Sequence, residues 1–280
     1  MTYGATGLGV TFGDRPALAD VDFEVPAGQV SAVVGGDGAG KSTLFHCLAG
    51  TVAPTTGTVR RPPKDRLGSM PSQSGTWADL TVDENLSFVA SAYGLGGAAL
   101  AARRDELLER ADLGAARDRL ARDLSGGMRR KLGFLMAILH EPELLLLDEP
   151  STGVDPVSRV ELWRLVAETA AGGTAVAMAT TYLDEAERAT SVLVLDEGAT
   201  LATGTAAQVV ASVPGTIART RTPTVASRAW RRGRAFHEWH PPDGGDGADP
   251  DRGEPLEPDL EDAVIALMVA RREQHGEAAA

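Results

Sequence analysis

Short β-branched or leucine-rich runs alternate with stretches of helical spacing along most of this 280-residue chain. That alternation predicts an α/β domain. Val30-Ser31-Ala32-Val33-Val34 reads as a strand running into a glycine-rich turn, and Ser42 to Ala49 reads as a helix closed by Gly50. Leu144 to Leu147 is continuously apolar between Pro142 and Asp148-Glu149-Pro150, as in a strand buried on both faces. Ala175 to Ala179 and Val192 to Leu195 are two more strands, and Leu8 to Pro26 reads as antiparallel strands turning at Gly13-Asp14. Val82 to Tyr93 and Ala98 to Leu113 carry apolar residues at helical spacing.

The ordered α/β pattern fades near Pro214. Arg219 to Arg234 holds six arginines and reads as a solvated face. Pro241 to Pro258 is rich in Pro, Gly and Asp and reads as a disordered linker. Asp259 to Arg272 resumes helical spacing behind Pro258. With few apolar anchors in the linker, residues after about Pro241 are expected to be dispensable for ligand binding.

Composition narrows the function classes. Lys and Arg number 27 against 39 Asp and Glu, a net charge of −12. Phosphate backbones repel such a surface, so no nucleic-acid partner is expected. The single cysteine, Cys47, excludes an internal disulfide and a multi-Cys metal site, and reads as core packing. His46, His140, His237, His240 and His275 show no metal spacing, and His237 and His240 read as solvated. No basic-then-apolar leader opens the chain, and no apolar run approaches the roughly 18 residues that span a bilayer. Action at a membrane would need another chain to do the spanning.

Three motifs carry chemistry. Gly35-Gly36-Asp37-Gly38-Ala39-Gly40-Lys41-Ser42-Thr43 fits G-x-x-x-x-G-K-[ST] between a predicted strand and a predicted helix. Its glycines let backbone N–H groups curl around phosphate oxygens, Lys41 reaches the terminal phosphates, and the Ser42 hydroxyl suits Mg²⁺. The strand at Leu144 ends in Asp148, placed to bind Mg²⁺ through water, and Glu149, placed to polarise an attacking water. Leu124-Ser125-Gly126-Gly127-Met128 opens another helix, with Ser125 as N-cap and bare N–H groups at a positive helix end. Two phosphate-binding surfaces, remote in sequence, suggest two chains meeting head to tail.

Together GGDGAGKST, LSGGMRRKL and LLLLDEPSTGVDP resemble the ATP-binding-cassette (ABC) transporter ATPases over about residues 8–213. The resemblance implies a RecA-like P-loop core with an N-terminal antiparallel β-subdomain over 1–214, and an inserted helical subdomain over about 78–135. The extension 215–280 would hold the linker (about 241–258) and a terminal helix (about 259–273). It implies ATP and Mg²⁺ held by Gly35 to Thr43, by Ser125, Gly126 and Gly127 of the opposite chain, and by Phe12 against adenine. Ser42, Gln73 and Asp148 would be metal ligands, with Glu149 and Thr181 as the catalytic pair. Asp79 to Leu86 looks like the segment that couples to a membrane partner, and Ser151 to Asp155 like the loop that touches the opposite subunit. LTVDENLSF, TGVDPVSR, YLDEAER and LEDAVIALM look most like multidrug and antibiotic exporters with a separate ABC-2-type permease. The implied assembly is a homodimer, or a heterodimer with a second ABC ATPase, peripheral at the cytoplasmic face of the membrane.

Two positions depart from the family pattern. Met70-Pro71-Ser72-Gln73 puts Gln73 one residue late, and Thr180-Thr181-Tyr182 puts Thr181 where a His usually contacts the γ-phosphate. A hydroxyl cannot carry charge near neutral pH, which bears on hydrolysis rate more than on binding. These departures leave an alternative reading, a degenerate regulatory partner in an asymmetric pair. A soluble ABC protein of translation or DNA repair fits less well, because the chain has one cassette and no long heptad run.

Overall fold

Alternating burial at the start of the chain builds an extended hairpin. In the computed structural model, which describes residues 1–242, 253–274 and 276, β1 (Thr2–Phe12) turns through Gly13-Asp14 into β2 (Arg15–Pro26). Gly13 takes the left-handed conformation the turn demands, at φ 59°. β3 (Val30–Val34) is buried at every position, and α1 (Lys41–Ala49) comes after its glycine loop. β4 (Thr56–Arg60) returns to pair with β1, completing an antiparallel sheet β2-β1-β4. β5 (Leu67–Met70) precedes three helices, α2 (Val82–Ala92), α3 (Gly97–Arg110) and α4 (Gly126–Ile138). Thr81 caps α2 through a reciprocal box with Glu84. The chain then runs through β6 (Leu144–Asp148), α5 (Pro156–Ala171), β7 (Ala175–Ala179) and the short α6 (Leu183–Ala186). Next come β8 (Ser191–Asp196), β9 (Ala199–Gly204) and α7 (Ala206–Ala211).

The second sheet runs β5-β6-β7-β3-β8-β9, parallel except for β9. Its mostly apolar inner strands feed both faces. Leu145, Leu147, Val176 and Met178 pack beneath α2 to α5, among Leu86, Leu107, Leu132 and Leu162. Leu144, Leu146, Ala175 and Ala177 face α1 and the N-terminal sheet.

The fading expected at Pro214 is a change of architecture. β10 (Thr216–Thr220), β11 (Ala229–Arg232), β12 (Ala235–His240) and β13 (Glu254–Pro255) form a third, antiparallel sheet in the order β11-β12-β10-β13. β11 and β12 join through a two-residue turn, with Gly233 at φ 63°. Of the linker expected over 241–258, residues 243–252 lie outside the described residues. Glu254–Pro255 is ordered against β10.

The helix α8 (Leu260–Gln274) then docks on both sides. Leu260, Val264 and Leu267 enter a cluster with Ala32, Val34, Val192 and Val194 of β3 and β8. Ala266 and Ala270 pack on Ile217 and Trp239 of the third sheet. The arginines are not simply solvated: Arg232 pairs with Asp259 at 2.8 Å and Arg228 with Glu273 at 2.9 Å. Nor are His237 and His240 solvated. The buried Asp262 carboxylate accepts from His237 Nδ1 (2.8 Å) and Trp230 Nε1 (3.0 Å), and His240 is buried.

Docking of α8 ties the residues after about Pro241, expected to be dispensable for ligand binding, to the core. Leu260→Ala is expected to cost about 2–5 kcal/mol, the range for emptying a fully buried leucine site, and a chain truncated after residue 240 to lose its cooperative melt. Chemical denaturation checks the first and calorimetry the second. An unchanged midpoint in Leu260→Ala would mean α8 contributes nothing to the core.

Candidate functional site

The site grows from the carboxyl edge of the parallel sheet. Val33 of β3 lies opposite Ala179 of β7, which lies opposite Asp148 of β6. The row extends one residue outward: Thr180 N donates to Val33 O (3.1 Å), and Glu149 N donates to Ala179 O (2.9 Å). The glycine loop, the two acids and the Thr180-Thr181 turn therefore leave the sheet side by side, where ligands of open α/β sheets bind.

Two glycines of the loop are forced by space. A Cβ on Gly35 would lie 2.2 Å from Leu195 O, and one on Gly40 would lie 2.6 Å from a Leu18 methyl. Gly40 caps α1 at φ 104° with no side-chain hydrogen bond. The first-turn N–H groups are thus left to an anion, which the helix dipole favours. Lys41 is buried, and its Nζ donates to Gly35 O (2.8 Å) and Gly36 O (3.0 Å). A cavity of about 200 Å³ is lined by Ala17, Asp37 to Thr43 and Glu149.

Asp148 is half-buried beneath this loop. Burial pushes its carboxyl above the usual range and neighbouring Glu149 pushes it further, while His46, Lys41 and the Ser42 hydroxyl pull it down. A buried carboxylate beside another carboxylate, with a hydroxyl in reach, is a hard-oxygen set short of positive charge, and it fits Mg²⁺. Among the described residues no group of three or more His, Cys, Asp or Glu gathers as a metal cage. Mg²⁺ needs no such cage, since phosphate and water complete its shell. Glu149 stands at φ 48°, a left-handed conformation that costs a non-glycine residue and recurs at functional sites. Thr152 Oγ1 donates to Glu149 Oε2 at 3.2 Å.

Other candidates lie elsewhere. Ser125 caps α4, its Oγ accepting from Met128 N at 3.2 Å. A Cβ on Gly127 would meet Ser158 Oγ at 2.3 Å, so α4 starts flush against α5. Gly126 lines a second cavity, of about 230 Å³, with Gln73, Arg130, Thr152 and Gly153. Gln73, expected beside the metal, is exposed on the wall of that second cavity, carried there by a turn in which Ser74 N donates to Pro71 O (3.1 Å). Thr181 is exposed. The ordered hydroxyl of its turn is Thr180, which donates to buried Glu185 at 2.8 Å and accepts from Tyr182 N at 3.0 Å. Phe12 is 55% exposed at the end of β1, opposite Arg15. Sequence reasoning missed Ala17 as a lining residue and Arg130 altogether. No sequence signal marks the first, and the second hides in a basic helix turn.

Comparison with known proteins places the chain among relatives. A family model described as "ABC transporter" matches residues 18–152. The chain is 44% identical over 201 residues to the probable multidrug ABC transporter ATP-binding protein YbhF of Escherichia coli (strain K12), covering 68% of this chain and 35% of that protein. It thus spans about a third of the length of that relative. It is 37% identical over 235 residues to the daunorubicin/doxorubicin resistance ATP-binding protein DrrA of Streptomyces peucetius, covering 80% of this chain and 71% of that one. Among solved structures, one described as the ATP binding subunit of an ABC transporter superposes with a TM-score of 0.68 at 29% identity, over 75% of this chain and 92% of that one.

Two outcomes test the site. Lys41→Ala is expected to abolish detectable binding of a fluorescent ATP analogue, and near-wild-type affinity would remove the loop from the site. Because the Asp148 carboxyl is raised on folding, its ionisation costs stability once the pH exceeds the unfolded value, and costs nothing below it. In chelator, Asp148→Asn is therefore expected to melt higher than wild type at pH 7. The gap should close as the pH falls below the ordinary carboxylate range, and a gap independent of pH would contradict the assignment.

Proposed function

The chain belongs to the ABC transporter ATP-binding family, and from that premise we propose that it is the energy-coupling ATPase of an exporter, hydrolysing MgATP to move a separate ABC-2-type permease. The observation that carries this reading is the shared cavity: Glu149 lines the same space as Lys41, Ser42 and the uncapped start of α1. In this reading Lys41 and the N–H groups of the loop bind and orient the phosphates, the base stacks on Phe12, and Glu149 accepts a hydrogen bond from the attacking water and holds it in line. Ser42 and Asp148 would hold Mg²⁺, which supplies charge to the phosphates.

Ser125 to Gly127 belong to a different part of the same chain. We therefore assign them to the nucleotide of a second subunit, arranged head to tail as a homodimer or with a related ATPase. The docking surface for the permease is assigned to the start of α2. There Trp77 and Phe88, 42% and 51% exposed, pack with ring centroids 4.3 Å apart. Fully buried Asn85 fixes their turn by accepting from Trp77 N and donating to Trp77 O, Leu80 O and Thr81 O. A rigid exposed aromatic pair suits an apolar helix of a partner. No helix among the described residues is long and apolar enough to cross a membrane, and the reading leaves spanning to the permease. The cargo class, a drug, antibiotic or lipid-like compound, rests on relatives whose names speak of multidrug transport and drug resistance. The place is the cytoplasmic face of the membrane.

Thr181 sets the rate in this reading. A group that positions or shuttles a proton is worth about 10²–10⁴-fold, and the exposed Thr181 hydroxyl replaces one. Steady-state phosphate release at saturating MgATP is expected to vanish in Glu149→Gln with ATP binding kept, and to rise in Thr181→His. Undiminished release from Glu149→Gln would overturn the assignment of Glu149. A Thr181→His no faster, with Thr181→Ala no slower, would remove position 181 from the catalytic apparatus.

A further inference from the structure

Arg129-Arg130-Lys131 lies within α4, just after Ser125 to Gly127, and its three cations have separate fates. Arg129 donates to the carbonyls of Ala121 (3.2 Å), Arg122 (3.3 Å) and Leu124 (3.2 Å), closing the turn before α4. Lys131 is buried and pairs with Glu161 of α5 at 3.0 Å. Arg130 alone of the three leans on the loop that comes after Glu149. Its Nη2 donates to Thr152 O at 3.0 Å, while its Nη1, with no exposed surface, makes no hydrogen bond among the described residues. Thr152 in turn bonds Glu149 twice: its Oγ1 donates to Oε2 (3.2 Å) and its N donates to the backbone O (3.3 Å).

The electrostatics point the same way. Burial disfavours the charged Arg130 guanidinium, and the Glu149 carboxylate is the group that favours it. A half-buried cation and carboxylate interact more strongly than they would in water. Glu149 needs such support. Its backbone is held in a left-handed conformation, and its side chain has several rotors and one hydroxyl to restrain them.

We infer that Arg130 is a positioning residue for the hydrolytic step, fixing the Glu149 carboxylate through Thr152 and by its charge. Because Arg130 stands on the helix that opens with Ser125 to Gly127, the same contact makes the placement of Glu149 depend on how that helix is seated. This rests on the reading of Glu149 as the group that orients water. Arg130 itself touches neither water nor nucleotide in this inference.

The test uses the full chain, measuring phosphate release across MgATP concentration, binding of a fluorescent ATP analogue, and thermal melting. Arg130→Gln keeps a donor for Thr152 O and removes the charge. Its kcat is expected to fall about ten- to a hundredfold, with KM and analogue affinity within about twofold, as for lost positioning in the transition state. Arg130→Lys should recover most of that loss. Thr152→Val should fall likewise while Thr152→Ser stays near wild type, and Arg130→Gln with Thr152→Val should be less than additive.

Full kcat in Arg130→Gln, alongside a dead Glu149→Gln, would overturn the inference and leave Glu149 standing. An active Glu149→Gln would overturn the underlying reading instead. Equal falls in kcat and affinity, with a lower melting point and no recovery by lysine, would make Arg130 mere glue between α4 and the loop. Should Arg130→Gln not fold, Thr152→Val against Thr152→Ser decides: equal rates would sink the inference.

Discussion

Two hydrogen bonds at the edge of the central sheet carry the rest of the site: Thr180 N to Val33 O and Glu149 N to Ala179 O. They extend the β3-β7-β6 ladder one residue past its regular end. At or just past each bond the backbone takes a positive φ. Gly35 comes directly after Val34 at φ 157°, pressed against Leu195 O, and Glu149 stands at φ 48°. A slip of one residue in either pairing would exchange the two faces of a strand. It would carry Leu144 and Leu146 into the space of Leu145 and Leu147, which pack on different sides of the sheet. The hydrophobic register thus sets the distance between loop and acid before either meets a ligand.

The polar groups at that edge lean mostly on one another and on their own loop. Asp148 is raised by burial and by Glu149, α1 starts without a side-chain cap, and Lys41 Nζ donates to two backbone carbonyls of its own loop. Each costs free energy in isolation. Together they form a complementary set, donors and a cation on one side and hard oxygens on the other, which a phosphate with a divalent ion satisfies at once. The electrostatic shortfall and the steric demands of Gly35 and Gly40 point to the same occupant.

Much of this was legible in the sequence because its signals are local. The strands at Leu144, Ala175 and Val192 are uninterrupted apolar runs and that at Val30 is broken only by Ser31, a pattern no helix period explains, and glycine spacing marks the loop between β3 and α1. The third sheet was illegible because its burial is supplied from far away. Strand β12, Ala235 to His240, carries Glu and two His. It becomes buried when the loop at Thr224 and Val225 satisfies Glu238, and Asp262 of α8 meets His237. Residue spacing also does not tell which way the Pro71 turn faces, and Gln73 lines the second cavity. Arg130 was hidden because three adjacent cations on a helix look alike until the structure shows which one meets a carbonyl beside an acid.

The C-terminal part bears on the site for a mechanical reason. Helix α8 lies directly behind Ala32 and Val34, on the strand that turns into Gly35, and behind Val192 and Val194 of β8. Arg271 donates to Asp196 O at 2.7 Å, next to the Leu195 carbonyl that confines Gly35. Burial of each apolar side chain on α8 is worth about 1.5–3 kcal/mol, against a typical domain stability of about 5–15 kcal/mol. Three such residues are therefore a large fraction of the stability that holds the sheet together. Undocking α8 would expose the back of β3 and β8 to water and free the base of the glycine loop on one side. The architecture changes near Pro214, yet the strand beneath the loop is packed by residues from both sides of that point.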